Sequence, residues 1–175
     1  AAHCEQWGSL LPAPAENKWG WRLLPEGIDR WLILSDVHIP YHDTTAVRAA
    51  LEYGRGCRGV LLNGDLIDCY ALSKWEKDPE MRSYDKEVED VCRFFDALKA
   101  WGAEQIVWKL GNHESRLERY ILARCPELWQ GKLREKIGWR AFCDLDQRGI
   151  TLIDSMEPIA VGMLTASMDA LRQKL

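Results

Sequence analysis

Three short apolar runs alternate with amphipathic stretches along the first two-thirds of the chain, and each run ends in a polar cluster. Trp31-Leu32-Ile33-Leu34 is continuously apolar, which predicts a strand covered on both faces. Val60-Leu61-Leu62 and Ile106-Val107-Trp108-Lys109-Leu110 predict two more. Asp43 is suited to cap a helix running to about Gly54, with Val47, Ala50 and Leu51 on one face. A longer helix is predicted over Tyr84–Trp101, where Val88, Val91, Cys92, Phe95 and Leu98 recur at helical spacing and Gly102 supplies the stop. A further helix follows from Glu114 to Ala123, ending near Pro126. Beyond it the pattern predicts a helix over Trp129–Trp139 and strands at Gly149–Ile153 and Pro158–Val161. Residues 1–30 hold Pro12, Pro14 and Pro25 and read as a Trp-containing N-terminal arm or linker, with the ordered domain over 31–175.

Alternation of strand and helix implies an α/β sheet with parallel central strands, whose ligand site lies beyond the carboxyl ends of the strands. All three polar clusters fall at such ends: Asp36-x-His38, Gly64-Asp65-x-x-Asp68 and Gly111-Asn112-His113-Glu114. Singly, each has a plain structural explanation: a turn aspartate beside a surface histidine, a helix cap, and an N-capped helix with an acid in its first turn. Together they gather acids at one edge. Two like charges about 4 Å apart repel by roughly 1 kcal/mol in water and several times more when partly buried. A divalent cation removes that repulsion, and imidazole with carboxylate is a donor set that suits one. In extended chain, residues 36 and 38 would share a side.

Composition narrows the field. With 47% hydrophobic and 29% charged residues in 175, the chain is neither disordered nor collagen-like. No apolar run approaches the roughly 18 residues of a membrane span, so no membrane partner is expected. The 27 acidic against 23 basic residues, net −4, disfavour a non-specific nucleic-acid binder, although local basic patches stay open. Nine tryptophans are many; a stacking platform for bases would want Lys and Arg interleaved with them. Six cysteines without a C-x-x-C, and no visible secretory signal, predict free thiols and a cytoplasmic location. No phosphate-binding G-x-x-x-x-G-K-[ST] loop is present.

The ordered series Asp36-Val37-His38, Gly64-Asp65-Leu66-Ile67-Asp68 and Gly111-Asn112-His113-Glu114 resembles the signature D-x-H … G-D-x-x-D … G-N-H-[ED] of the calcineurin-like metallophosphoesterase superfamily, over roughly residues 31–125. The wording from Leu34 to Asp43 is similar to phage and bacterial members. The resemblance implies a four-layer αββα sandwich, here with an incomplete second sheet. It implies a phosphoesterase acting on phosphate mono- or diesters by attack of a metal-bridging hydroxide. Two divalent ions are implied, manganese first, with iron, zinc or nickel as alternatives. Asp36 and His38 would hold the first ion, Asp65 would bridge both, and Asn112 would hold the second. His113 would be the general acid or a phosphate-positioning group, oriented by Asp68.

The chain departs from that pattern in two ways. The family's site takes three further histidines from its second half, whereas the four histidines here are His3, His38, His42 and His113. The chain therefore reads as C-terminally truncated. Ala166-Ser167-Met168-Asp169, read out of phase, is compatible with the family's aliphatic-His-Gly, as a frameshift near residue 165 would give. Where some branches carry Arg after the second Asp of the middle motif, Cys69 stands here. Two other readings stay open: a catalytically impaired remnant that binds partners through its arm, and a metal-dependent nuclease.

Overall fold

The structure is a computed structural model that describes residues 22–75, 78 and 83–160. The tryptophans of the predicted arm and the tail after residue 160, with its proposed frameshift point, lie outside the described residues.

Four strands form one parallel sheet in the order β2-β3-β4-β5: Trp31–Leu34, Gly59–Asn63, Gln105–Lys109 and Ile150–Ile153. Register aligns their ends, with Leu34, Leu62, Trp108 and Leu152 in one row across the sheet. In β3 and β4 the unbroken apolar runs have the expected consequence, because successive side chains go to opposite faces and both faces are covered, whereas β2 is an edge strand whose Ile33 is 49% exposed, so its expected cover is only partial. Val60, Leu62, Ile106 and Trp108 join the larger core with Val91, Phe95 and Leu98. Trp108 sits edge-on between Phe95 and Trp139, each with its ring centroid 5.4 Å away. Burying one such side chain is worth about 1.5–3 kcal/mol. On the other face Leu61, Val107 and Ile153 pack with Leu24, Trp31 and Ile159. Gly59 is required there, since a Cβ would lie 2.5 Å from the Trp31 ring.

A second, two-stranded parallel sheet pairs β1 (Arg22–Leu23) with β6 (Ile159–Ala160). Arg22 also pairs with Glu157 at 2.6 Å. The last residues of the stretch read as an arm are thus hydrogen-bonded into the fold. The architecture is an α/β sandwich whose second sheet has two strands among the described residues.

Helix α1 spans Thr44–Tyr53, and the Asp43 carboxylate caps it by accepting from the backbone N–H groups of Thr45 and Ala46. Helix α2, Tyr84–Trp101, ends on Gly102 at φ 113°. Helix α3 covers Ser115–Arg124. The single helix expected over 129–139 is instead two, α4 (Gly131–Ile137) and α5 (Trp139–Phe142). Gly138 between them is extended, which turns Trp139 into the core, where it is 4% exposed. No described helix is long and apolar enough to cross a membrane.

Candidate metal centre

Each parallel strand hands its chain to a loop at the same edge of the sheet, and two of these loops stay zipped together beyond the last strand residues. The Asp36, His38 and Ile39 amides donate to the carbonyls of Gly64, Asp65 and Leu66, and the Asp68 amide returns to the Ile39 carbonyl, all within 3.1 Å. The loop from Asp36 to His38 is not extended, as the i, i+2 reading supposed. Asp36 and His38 both adopt φ 55°, and Asp65 φ 53°. A left-handed conformation in a non-glycine residue costs of order 1–3 kcal/mol and persists only where the surroundings enforce it. Here three such residues are the candidate ligands themselves.

Glu114 does much of the enforcing. Its side chain is buried, 1% exposed, and its carboxylate accepts from the backbone N–H groups of Asp65 (3.0 Å), Leu66 (2.7 Å), Ile67 (3.4 Å) and Gly111 (2.7 Å). It thereby clamps the Gly64–Asp68 turn to the Gly111–Glu114 turn. Burial pushes its carboxyl above the ordinary value, and the backbone donors pull the other way. Gly111 permits the close approach, since a Cβ there would lie 2.2 Å from Asp65 Oδ1 and 2.5 Å from Asp65 N. The His113 amide donates to Asp65 Oδ1 at 2.9 Å.

His38, Asp65 and His113 present ligand atoms all within 4.8 Å of one another. The His38 and His113 rings meet edge-on at 4.4 Å. Asp36, Asp65 and Asn112 together line a cleft of about 480 Å³, which also reaches Asn63, Ser155 and Arg119. Asp65 is common to both groupings. Asp36 lies outside the three-residue donor group, and its carboxylate accepts from the neighbouring Ser35 hydroxyl.

Asp68 faces both histidines. Its Oδ2 lies 3.1 Å from His38 Nδ1 and 3.5 Å from His113 Nδ1, and its backbone carbonyl receives His113 Nδ1 at 2.7 Å. A carboxylate accepts, so His38 carries its proton on Nδ1 and leaves the Nε2 lone pair free for a cation. His113 Nε2 is 3.0 Å from Arg116 Nη2. A guanidinium only donates, so Nε2 accepts and the proton again sits on Nδ1. Arg116 also donates to the Asp68 carbonyl at 2.8 Å.

Residues 30–158 match the family model of calcineurin-like phosphoesterases, well over half of the chain. The chain belongs to the calcineurin-like phosphoesterase family. Membership implies metal-dependent hydrolysis of phosphate esters. Among curated proteins and solved structures nothing matches. The site of this phosphoesterase fits divalent cations by its chemistry: the free Nε2 of His38 and the Asp65 carboxylate converge, His113 stands beside them with both ring nitrogens engaged, and a second carboxylate and an amide line the adjoining cleft.

Three residues of the calcineurin-like site were not among the sequence-derived candidates. Glu114 read as a first-turn helix residue, because sequence gives no sign that its side chain turns inward. Arg116 reaches Asp68 and His113 from α3, whereas Cys69, where some branches carry Arg, is fully buried at φ 54°. Arg119 lines the cleft from one turn further on. The spacing Arg116, Arg119, Tyr120 along a helix that starts at the third motif was the available signal.

Proposed function

We propose that this phosphoesterase hydrolyses phosphate diesters and monoesters in the cleft between Asp36, Asp65 and Asn112. The reading rests on Asp65, which belongs both to that cleft and to the donor group with His38 and His113. Asp36 and His38 would hold one divalent cation, Asn112 a second, and Asp65 both; manganese is the first ion to try. When bound, such ions supply Lewis-acid polarisation of the phosphoryl oxygens and lower the pKa of water at the site towards neutrality. The rest falls to the chain's own residues. Asp68 fixes the His38 ring by its Nδ1–H. His113 has Nδ1–H committed to the Asp68 carbonyl and Nε2 held by Arg116, which lines the groove adjoining the cleft. A substrate phosphate competes for the Arg116 guanidinium. His113 Nε2 is then released to take a proton and pass it to the leaving oxygen.

Hydrolysis of p-nitrophenyl phosphate and bis-p-nitrophenyl phosphate with Mn²⁺ tests this. Asp65→Asn should abolish turnover, and His113→Ala should lower it by about 10²–10⁴, the usual worth of a positioned acid. Activity that survives both changes removes the site.

A further inference from the structure

A second groove, of about 640 Å³, opens beside the metal cleft and shares Asn112 and Arg119 with it. One wall is the face of α3 carrying Arg116, Arg119, Tyr120 and Arg124; the other carries Lys74 and Trp75. Among the described residues no acidic side chain lines it, in a chain where acids outnumber bases. Among the described residues Lys74, Arg119 and Arg124 have no carboxylate partner. Two of the cations rest on aromatic faces instead. The Lys74 ammonium is 5.0 Å from the Trp75 ring centroid and the Arg124 guanidinium 4.0 Å from that of Tyr120. Trp75 is 71% exposed, an unusual state for so large an apolar surface.

Arg116 has the Asp68 carboxylate 3.7 Å away, but Lys74, Arg119 and Arg124 share the groove with it, and an entering anion would relieve their mutual repulsion. A lone phosphate at the metal cleft would leave Lys74 and Arg124, further along, without a role. An exposed indole, Trp75, beside cations suits a ligand that carries planar rings and repeated negative charge. The volume is that of a small-molecule pocket. We propose that the substrate is single-stranded nucleic acid, with the scissile phosphodiester at Asp65 and Asn112, the next phosphates on Arg119, Arg124 and Lys74, and a base stacked on Trp75. The proposal rests on the phosphoesterase reading and names its substrate class. In the reaction a water oxygen forms the new bond to phosphorus and one P–O(sugar) bond breaks. The products are a phosphomonoester end and a hydroxyl end, and the water's proton goes to the leaving oxygen.

The test is binding in EDTA, followed by fluorescence anisotropy. The probes are labelled oligonucleotides of about 12 residues, within the usual range of single-strand sites. DNA and RNA strands are compared with a duplex, with adenosine monophosphate and with inorganic polyphosphate. A single strand should bind best. Trp75→Ala should weaken it about 5- to 100-fold, from the loss of one stacked base. That change should leave the salt dependence intact, and Trp75→Phe should restore most of the affinity. Arg119→Gln should make the slope of log K against log salt shallower by about 0.7, one phosphate contact. Circular dichroism and melting confirm that each variant folds. Duplex or polyphosphate binding as well as the single strand, no binding of the strand, or binding that both variants leave unchanged would each overturn the proposal. Because EDTA removes metal chemistry, oligonucleotide binding without any Mn²⁺-dependent hydrolysis of bis-p-nitrophenyl phosphate overturns only the phosphoesterase reading. Hydrolysis without oligonucleotide binding overturns only the groove.

Discussion

Gly111→Ala adds one methyl group at the most crowded point of the site. That carbon would stand 2.2 Å from Asp65 Oδ1 and 2.5 Å from Asp65 N, against an ordinary contact of about 3.5 Å or more. The backbone cannot yield, because the Asp65 amide is held by Glu114 and its carbonyl by the His38 amide, each at 3.0 Å. The carboxylate must swing by roughly 1 Å and release the His113 amide. Overpacking costs about 1–3 kcal/mol and a lost hydrogen bond to a charged group about 1.5–3 kcal/mol, so about 2.5–6 kcal/mol in sum. For a domain of this size that lowers Tm by about 5–24 °C. Mn²⁺ affinity, measured by titration calorimetry below the melting range, should fall by at least about 100-fold, because the shared ligand is displaced. Gly149→Ala is the control. Gly149 has positive φ, 62°, which Gly111 does not, but a Cβ there meets nothing within 4 Å, so the change should cost only about 1–2 kcal/mol of backbone strain and no metal affinity. Wild-type Mn²⁺ affinity in folded Gly111→Ala would refute this account of the Asp65 turn.

Asp68→Asn removes the charge that holds His38 in its metal-binding tautomer and should weaken Mn²⁺ about 10- to 100-fold by calorimetry; unchanged affinity would mean that the 3.1 Å contact does no orienting. Away from the site, a hydrogen bond from Cys143 and the charge of Arg148 hold the Cys92 thiol down at about 7, against the opposing effect of burial. A lowered thiol pKa puts the thiolate above that pH and loses it below. Iodoacetamide labelling of the Cys92 peptide, read by mass spectrometry, should therefore rise with a midpoint near pH 7 and shift upward in Cys143→Ala; a wild-type midpoint near the ordinary thiol value of about 8.5 contradicts this.

The sheet was legible because the apolar runs at Trp31, Val60 and Ile106 are each too short for a helix and end in polar residues. Asp43 and Gly102 marked helix ends for local reasons, a side-chain acceptor and a left-handed glycine, that do not depend on the rest of the fold. Long-range structure was not legible. Arg22–Leu23 pairs with Ile159–Ala160 far along the chain, and no local pattern announces it. The three motifs located the strand-end cluster, but not its backbone. Local alternation suggested an extended Asp36–His38, whereas ladder bonds to the Gly64–Leu66 loop impose positive φ. Glu114 looked like any acid in a first helical turn until its four amide donors were seen. Net charge concealed the basic groove, because a sum over the chain says nothing of where Lys74, Arg116, Arg119 and Arg124 meet.

The central claim is that the carboxyl ends of β2, β3 and β4 assemble a cation site around Asp65. Anomalous diffraction from crystals grown with Mn²⁺ tests it most directly. Manganese density should appear bonded to His38 Nε2 and to the Asp65 carboxylate, and be lost in Asp65→Asn. Density only elsewhere on the molecule, or a cleft that stays empty at saturating Mn²⁺, would contradict it.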